Sequence, residues 1–324
     1  MPVQCSYHTN TVPMKRTYKL RNWSEYNAAL VKRGSLTLWL SDEVIAEWKN
    51  TQKTGKPGAS KDYSDLAIQT LLTFKVLYGL ALRQTIGFAG SIFELMGVSV
   101  DLPVHTTLSR RQQTLPIDLP IEPTAGSRHV VVDSTGIKVY GEGEWKTRQH
   151  GVSKRRTWLK LHLGVDEHTG ENLAAVVTSN AISDGEILPD LLDQIPDEID
   201  QVSADGAYDR TYCYDAIDER GATAAIPPRK DAKIWFHGNR KQVPHPRDEN
   251  LRAIRKQGRS AWKEEINYHR RSLSETMMYR LKTIFTGKVS ARCIENQTTE
   301  LLLECSIINQ FTHLGMPDSY PVEA

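Results

Sequence analysis

The sequence predicts an α/β protein: a mixed sheet, three antiparallel strands followed by parallel ones, is flanked by helices and preceded by an all-helical region. Three observations predict it. Residues 1–120 carry helical periodicity with capping signals. From residue 129 the pattern changes to short β-rich runs separated by turn residues. After the third run, helical and β-rich segments alternate, which is typical of parallel strands.

The first 120 residues are expected to form a series of helices. NWSEYNAALVKRG and LSDEVIAEWKN begin with plausible caps, and two apolar helices follow the turn-rich stretch 51–62. HTTLSRRQQTL, residues 105–115, is a short basic helix with polar side chains free for a partner. It suits the second helix of a helix-turn-helix unit, which presents polar side chains to DNA bases. A helical bundle with a polar last helix explains the pattern equally well.

Residues 121–128 are expected to link this region to a second domain, 129–310, with a tail at 311–324. HVVVDSTGIKVYG, WLKLHLGVDEHTG and NLAAVVTSN predict three strands of a meander. Helix, strand, helix and strand follow, then a basic loop at 227–260 and a long helix at about 261–286. The order β-β-β-α-β-α-β predicts a sheet of the ribonuclease H type.

The charge of the chain is segregated although its net value is only +2. Residues 145–165 and 229–263 are rich in Lys and Arg, whereas 184–219 carry many acids and one cation, Arg210. Such blocks indicate one face for a polyanion, and nucleic acid is the polyanion that fits best.

Composition argues against several other classes. The four cysteines form no CxxC pair, so neither a zinc knuckle nor a disulfide framework is indicated. The most apolar region, 66–98, is interrupted by polar residues and lacks the roughly 18–20 apolar residues of a membrane span. The first residues do not resemble a signal peptide. We therefore expect a cytoplasmic protein with no membrane partner.

Two carboxylates stand at positions where α/β sheets place active sites. Asp133 follows the apolar run 129–132 inside the first strand, and Asp205 ends the fourth strand before Gly206. A carboxylate on a central strand must face a cavity, a partner or a cation, since burying it bare is costly. Asp133 as a turn acid and Asp205 as an ordinary Asp-Gly turn are equally simple explanations of each residue alone.

The stretch NYHRRSLSETMMYRLKTIF, residues 267–285, lines up Tyr268, Arg271, Glu275 and Lys282 in a stripe about 60° wide on a helical projection. Any amphipathic helix has a polar face. Together with Asp133 and Asp205, however, Glu275 completes a set of three carboxylates. Such a set holds two Mg²⁺ or Mn²⁺ ions about 3.5–4 Å apart, which activate an attacking oxygen and stabilise a leaving one.

The spacing Tyr268-x2-Arg271-x3-Glu275-x6-Lys282 matches the Y-R-E-K signature of bacterial DDE transposases. VVVDSTG around Asp133, ADGAYD around Asp205 and the segment YKLRNWSEYNAALVKRGSLTLWLSDEVIAEW resemble the insertion sequence five family. The resemblance covers about residues 18–310 and implies a ribonuclease H-like core that uses Asp133, Asp205 and Glu275 as catalytic metal ligands. It also implies that the N-terminal part binds the terminal inverted repeats of the element.

The resulting hypothesis is a bacterial, nucleoid-associated transposase that binds inverted repeats, cleaves the element ends and joins the 3′-hydroxyls to target DNA, as at least a homodimer. A nuclease of the same fold that cannot join strands, a repressor with vestigial acids, and a basic structural protein are the alternatives. The residues expected to contact DNA are Tyr268, Arg271, Lys282, Arg110, Arg111, Lys154, Arg155, Arg156, Arg252, Arg255, Lys256 and Arg259. Arg247 belongs to the same basic segment as the last four and is expected to contact the DNA backbone with them.

Overall fold

The computed structural model describes residues 17–51, 62–139, 158–236 and 244–322, and the predicted DNA contacts Lys154, Arg155 and Arg156 lie outside these ranges. The described strands are β1 (Thr17–Leu20), β2 (Arg128–Val139), β3 (Trp158–Asp166), β4 (Asn172–Ser179), β5 (Ile199–Ser203), β6 (Thr223–Ala225), β7 (Lys288–Val289) and β8 (Ser319–Val322). The described α-helices are α1 (Trp23–Lys32), α2 (Asp42–Ala46), α3 (Asp65–Tyr78), α4 (Leu82–Leu95), α5 (His105–Gln112), α6 (Leu188–Asp193), α7 (Thr211–Glu219), α8 (Pro246–Gln257), α9 (Arg259–Glu265), α10 (Ser272–Phe285) and α11 (Ile294–Leu314).

The central sheet has six strands, in the order β4-β3-β2-β5-β6, with β7 also pairing with β2. The pairs β2–β3 and β3–β4 are antiparallel, whereas β2–β5 and β5–β6 are parallel. This confirms the predicted mixed sheet with an antiparallel meander followed by parallel strands. The long strand β2 lies at the centre, so residues near its middle are shielded by neighbours on both sides.

Helices cover both faces of this sheet, because its side chains alternate between two apolar layers. On one face, Val130 and Val132 of β2 pack with α6 and α7. On the other face, the buried leucines of β3 pack with α10 and α11. The polar side of α10 is thereby left to face the solvent, next to the middle of β2.

The N-terminal region is helical, as predicted, but it also contains the strand β1, which the sequence did not predict. Strand β1 pairs with β8, from Thr17↔Val322 to Leu20↔Ser319. Its partner is remote in sequence, so no local pattern could have indicated the pair. Residues 311–324 were predicted to form a tail, but they contain the last turn of α11 and strand β8.

Helix α11 belongs to both parts of the molecule. Leu303 packs into the apolar cluster formed by α3, α4 and α5. Leu301, Cys305 and Ile308 of the same helix pack under the sheet. The helical region and the sheet therefore share a core helix, although the whole sheet lies between α5 and α11 in the sequence.

The segment 227–260, predicted as a basic loop, contains α8 and the start of α9, which corrects that prediction. The start of α8 is set by His245, whose Nδ1 accepts a hydrogen bond from the backbone N–H of Arg247 at 3.2 Å. Pro246 fits the first helical position, since its missing N–H would have no partner there. Gly258 then ends the helix with φ of +91°.

Among the described residues, no single helix has the length and apolar character needed to cross a membrane. Helices α3 and α4 reach that length and composition only when taken together, across a bend of 108°.

A buried cluster of charges fixes the start of β2. The Arg128 guanidinium, whose side chain is 1% exposed, donates to Asp166 at 2.7 Å and also to Asp197. It donates in addition to the backbone carbonyl of Glu122 at 2.7 Å, and Glu171 lies 4.0 Å away. This cation therefore ties the segment before the sheet to β2, β3 and the start of β5.

The buried acid Glu304 of α11 makes the stability of the fold depend on pH. Burial, together with repulsion from Glu300, raises the pKa of Glu304 well above 4.5, although Lys75 acts in the opposite direction. The folded state thus favours the neutral acid, and stability is lost as the pH rises from about 4.5 through the raised folded pKa.

Glu304→Gln replaces this acid with a neutral side chain of the same shape. We expect it to raise the free energy of unfolding at pH 8 by about 1 kcal/mol or more and to flatten the fall in stability with pH. Urea unfolding at pH 5 and pH 8 measures both effects. The exposed Glu94 supplies the control Glu94→Gln, for which we expect no such change. Equal pH slopes for wild type and Glu304→Gln would contradict the assignment.

Candidate functional site

Asp133 lies near the middle of β2, the central strand of the sheet. Its side chain is 19% exposed, and its Oδ1 accepts a hydrogen bond from the backbone N–H of Ser134 at 2.8 Å. This is the local contact of a turn acid, made here within a strand. The second oxygen, Oδ2, points to residues from the α10 segment.

Asp205 lies just beyond the neighbouring strand, two residues after the last residue of β5, rather than ending that strand as predicted. Val131 of β2 pairs with Ser203 of β5, so Asp133 and Asp205 each lie two residues further along parallel neighbours. Asp205 Oδ1 accepts a hydrogen bond from the backbone N–H of Ala207 at 2.8 Å and so caps the short turn Gly206–Tyr208. The carboxylate therefore caps the turn and lies beside the middle of β2, where Asp133 is placed.

The long helix predicted at about 261–286 is interrupted, which corrects that prediction. Asn267 adopts a left-handed conformation with φ of +52°, and Tyr268–Arg271 form a 3₁₀ turn before α10 begins at Ser272. A single helical projection from Tyr268 to Lys282 is consequently wrong for its first two members. It remains valid for Glu275 and Lys282, which both lie on α10.

Arg271 joins two of the three predicted catalytic acids. Its Nη1 lies 3.2 Å from Asp133 Oδ2, and its Nη2 lies 2.5 Å from Glu275 Oε1. The hydroxyl of the buried Ser274 is 3.4 Å from the same Asp133 oxygen. The break before α10 thus turns Arg271 toward β2, and its guanidinium bridges the strand and the helix.

The electrostatics of the site follow from this crowding. Burial raises the pKa of Asp133, and the nearby carboxylates of Asp205 and Glu275 raise it further. The N–H of Ser134 and the Arg271 guanidinium act in the opposite direction. Asp205 and Glu275 therefore disfavour the negative charge on Asp133, and the Arg271 guanidinium offsets part of this effect.

The donor atoms of this site suit a hard divalent cation, since they are carboxylate oxygens. Among the described residues, however, no three His, Cys, Asp or Glu side chains are close enough to hold a metal ion. The guanidinium of Arg271 already supplies a positive charge between Asp133 and Glu275. The residues thus fit a divalent cation by chemistry, provided that Arg271 withdraws.

Tyr268, predicted to contact a nucleotide, is largely buried in this structure. It is 8% exposed, and its ring centroid lies 6.2 Å from that of Trp262. The Lys263 ammonium lies 4.8 Å and the Arg271 guanidinium 5.9 Å from the Tyr268 ring. In this structure the buried Tyr268 ring therefore packs near the Arg271 guanidinium and helps to fix its position.

Lys282, the last residue of the stripe, is exposed at the far end of α10. Its stem lies against Gly287, where an added Cβ would meet Lys282 Cγ at 3.0 Å. Gly287 has φ of +64°, which favours glycine. Because Gly287 has no side chain, the stem of Lys282 can pack closely against the turn that follows α10.

Some of the other residues predicted to contact DNA are exposed, and several form hydrogen bonds or ion pairs within the chain. Arg111 is 9% exposed and donates to the backbone carbonyl of Tyr63 at 2.7 Å and to Asp65, so its charge is used inside the helical region. Arg110 and Lys256 are exposed. Hydrogen bonds within the chain engage Arg252, Arg255 and Arg259.

Sequence reasoning missed Ser274 and the bridging contact of Arg271. Ser274 is one of several small polar residues in this segment, and only the packing of α10 on β2 reveals that it reaches Asp133. The contact of Arg271 with Glu275 could have been predicted, because residues four apart on a helix are placed to form an ion pair.

Comparison with known protein families adds an independent finding. Two family models, each described as a transposase DDE domain, match this chain. One covers residues 31–142, and the other covers residues 124–310. The second match includes Asp133, Asp205 and Glu275 together with the whole six-stranded sheet.

Proposed function

This chain belongs to the DDE transposases, metal-dependent enzymes that act on DNA, and we propose that it works at the ends of an insertion sequence. In this proposal it binds the terminal inverted repeats, cleaves the DNA at the element ends and joins the freed 3′-hydroxyls to target DNA. The observation that supports the proposal is that Asp133 and Asp205 each follow a paired residue of β2 and β5 by two positions, while Arg271 links Asp133 to Glu275. The insertion sequence five subgroup rests on the sequence resemblance.

Asp133, Asp205 and Glu275 would hold the divalent cations, with two Mg²⁺ or Mn²⁺ ions as the proposed set. Cations bound there supply activation of the attacking oxygen and charge stabilisation for the leaving oxygen. Cleavage and joining are both displacements at phosphorus, so one site serves both. The chain's own contribution is to fix the three acids on β2, after β5 and on α10, and to present Lys282 and other cations to phosphates.

Arg271 is proposed to have two positions in this cycle. Without DNA it bridges Asp133 and Glu275 and offsets their repulsion. A DNA phosphate is negatively charged, as the two carboxylates are, and can accept two hydrogen bonds from the guanidinium. Transfer of Arg271 to the phosphate would free both acids as the substrate arrives.

Arg271→Gln tests this competition directly. We expect the variant to bind Mn²⁺ about tenfold more tightly than wild type in the absence of DNA, because a charge-assisted contact no longer competes for the carboxylates. Electron paramagnetic resonance of free Mn²⁺ measures the affinity. Arg270→Gln is the matched control, since the adjacent Arg270 pairs with Glu167 outside the site. A weaker affinity in Arg271→Gln would contradict the proposed competition.

The function itself is tested with labelled DNA from the flank of the gene, incubated with protein and Mg²⁺ or Mn²⁺ and a target plasmid. We expect cuts at a repeat boundary and products joined to the target. Cuts without joined products would favour the nuclease, and specific binding without cuts would favour the repressor. Synapsis of two ends requires at least a dimer on DNA, so an active end complex with one protomer would contradict that part of the proposal.

A further inference from the structure

A large cleft separates the helical region from the edge of the catalytic sheet. Its volume is about 1260 Å³, and it lies between α3–α5 on one side and the segment from the end of α10 to the start of α11 on the other. Ordinary small-molecule pockets hold about 300–1,000 Å³. The Asp133–Glu275 site does not line this cleft, so its role needs a separate explanation.

The charge of the lining is one-sided. Arg83, Lys288 and Arg292 line the cleft and are exposed. The acids that line it, Glu300 and Glu304, are 5% and 3% exposed. Glu300 is also occupied, by Lys75 at 3.0 Å and by Ser290. The accessible charge of the cleft is therefore positive.

Like charges lie side by side where β7, whose Lys288 lines the cleft, pairs with β2. Lys288 of β7 pairs in register with Lys138 of β2, and both side chains are exposed. Neighbouring like charges on adjacent strands are unfavourable on their own. A polyanion lying along this edge would turn the repulsion into a favourable contact.

The cleft also offers an aromatic face. Tyr78, at the end of α3, lines the cleft and is 43% exposed. Its ring is held in place by Phe74 and Phe88, at centroid distances of 6.4 Å and 5.1 Å. A fixed, half-exposed ring in a cationic groove is the combination that binds unpaired nucleic acid, with phosphates on the cations and a base on the ring.

The cleft is connected to the catalytic helix through Lys282. Lys282 follows Glu275 by two turns of α10, about 10 Å at the helical rise. The Lys282 stem then lies on Gly287, which sits between the lining residues Thr286 and Lys288. A strand that leaves the catalytic acids along α10 reaches the cleft after a few nucleotides.

We infer that this cleft binds a single-stranded segment of DNA adjacent to the cleavage site, with Lys288 and Arg292 on phosphates and Tyr78 against a base. An unpaired base can lie on the exposed ring of Tyr78, whereas the bases of duplex DNA are stacked on one another inside the helix. The inference rests on the proposed function in one respect, namely that DNA is the substrate. It adds that the ends must open before or during cleavage.

The test is a titration of full-length protein into a fluorescein-labelled ten-nucleotide oligothymidylate, with EDTA present so that no cleavage occurs. Lys288→Gln/Arg292→Gln should weaken binding at least tenfold and lower the slope of affinity against salt by about 0.7 for each lost contact. Tyr78→Leu should weaken binding about fivefold or more, whereas Tyr78→Phe, which keeps a stacking face, should bind like wild type.

Lys32→Gln, on the exposed surface of α1, is the matched control and should leave the affinity unchanged. A second readout uses a bromodeoxyuridine-containing strand, which should cross-link to the peptide that carries Tyr78. Equal affinities for the cleft variants and the control, or a cross-link elsewhere, would overturn the inference.

The two proposals fail in different ways. If wild type cuts end DNA while the cleft variants bind the oligonucleotide normally, the cleft inference is wrong and the transposase function stands. If the cleft variants lose oligonucleotide binding but wild type never cuts end DNA, the cleft inference stands and the proposed function is wrong.

Discussion

Glu275→Gln is expected to lower the rate of DNA cleavage about a thousandfold, the scale seen when one preorganised charge-stabilising group is removed from an active site. The amide keeps the shape of the side chain but loses its negative charge, and so loses its attraction for a cation. The side chain is 58% exposed on α10, so we expect the fold to be unaffected.

Cleavage is measured on labelled end fragments with Mg²⁺ or Mn²⁺, and unfolding by urea checks the fold. Asp133→Asn and Asp205→Asn should lower the rate to a similar extent. Glu94→Gln, an equally conservative change of an exposed acid on α4, should cut like wild type. Cleavage that survives in Glu275→Gln would exclude this residue as a ligand while leaving Asp133 and Asp205 open to test.

Arg128→Met is expected to have the largest effect on stability, a loss of about 3–5 kcal/mol in the free energy of unfolding. The methionine keeps part of the volume, but Asp166 is left buried without its cation, at 6% exposure of its side chain, whereas the more distant Glu171 keeps its contact with His313. Loss of one partner of a buried ion pair costs far more than the pair itself contributes, because the remaining charge is uncompensated.

Thermal and urea unfolding measure this loss. The control is Arg270→Gln, which breaks the pair with Glu167 at the surface, where the arginine side chain is 54% exposed, and should cost at most about 1 kcal/mol. Adding Asp166→Asn to Arg128→Met should restore part of the stability, since it removes one of the stranded charges. A loss below about 1 kcal/mol in Arg128→Met would show that the cluster is not electrostatically coupled.

The sheet and the positions of its two aspartates could be predicted from local patterns. The β-rich runs at 129–179 are separated by clear turn signals, and Asp133 interrupts an apolar run. The register that aligns Asp133 with Asp205 then follows from parallel pairing of neighbouring strands. These signals lie within a few residues of the features they predict.

Other features depend on contacts that no short window contains. Asn267 can adopt a left-handed conformation, but asparagine also occurs in helices, so its break of the polar stripe was not predicted. Arg247 was expected to contact DNA as part of a basic segment, yet it is 4% exposed and lies 2.6 Å from Asp209. Burial decides between solvent, DNA and an internal acid, and only the fold determines burial.

The shared helix α11 has a consequence for the order in which the molecule can be assembled. As a chain leaves the ribosome, α1–α5 emerge first, but the apolar cluster they form includes Leu303. Strand β1 likewise waits for β8. The N-terminal helices are therefore completed only after α11 has been made, and a chain released before α11 would leave their apolar cluster without Leu303.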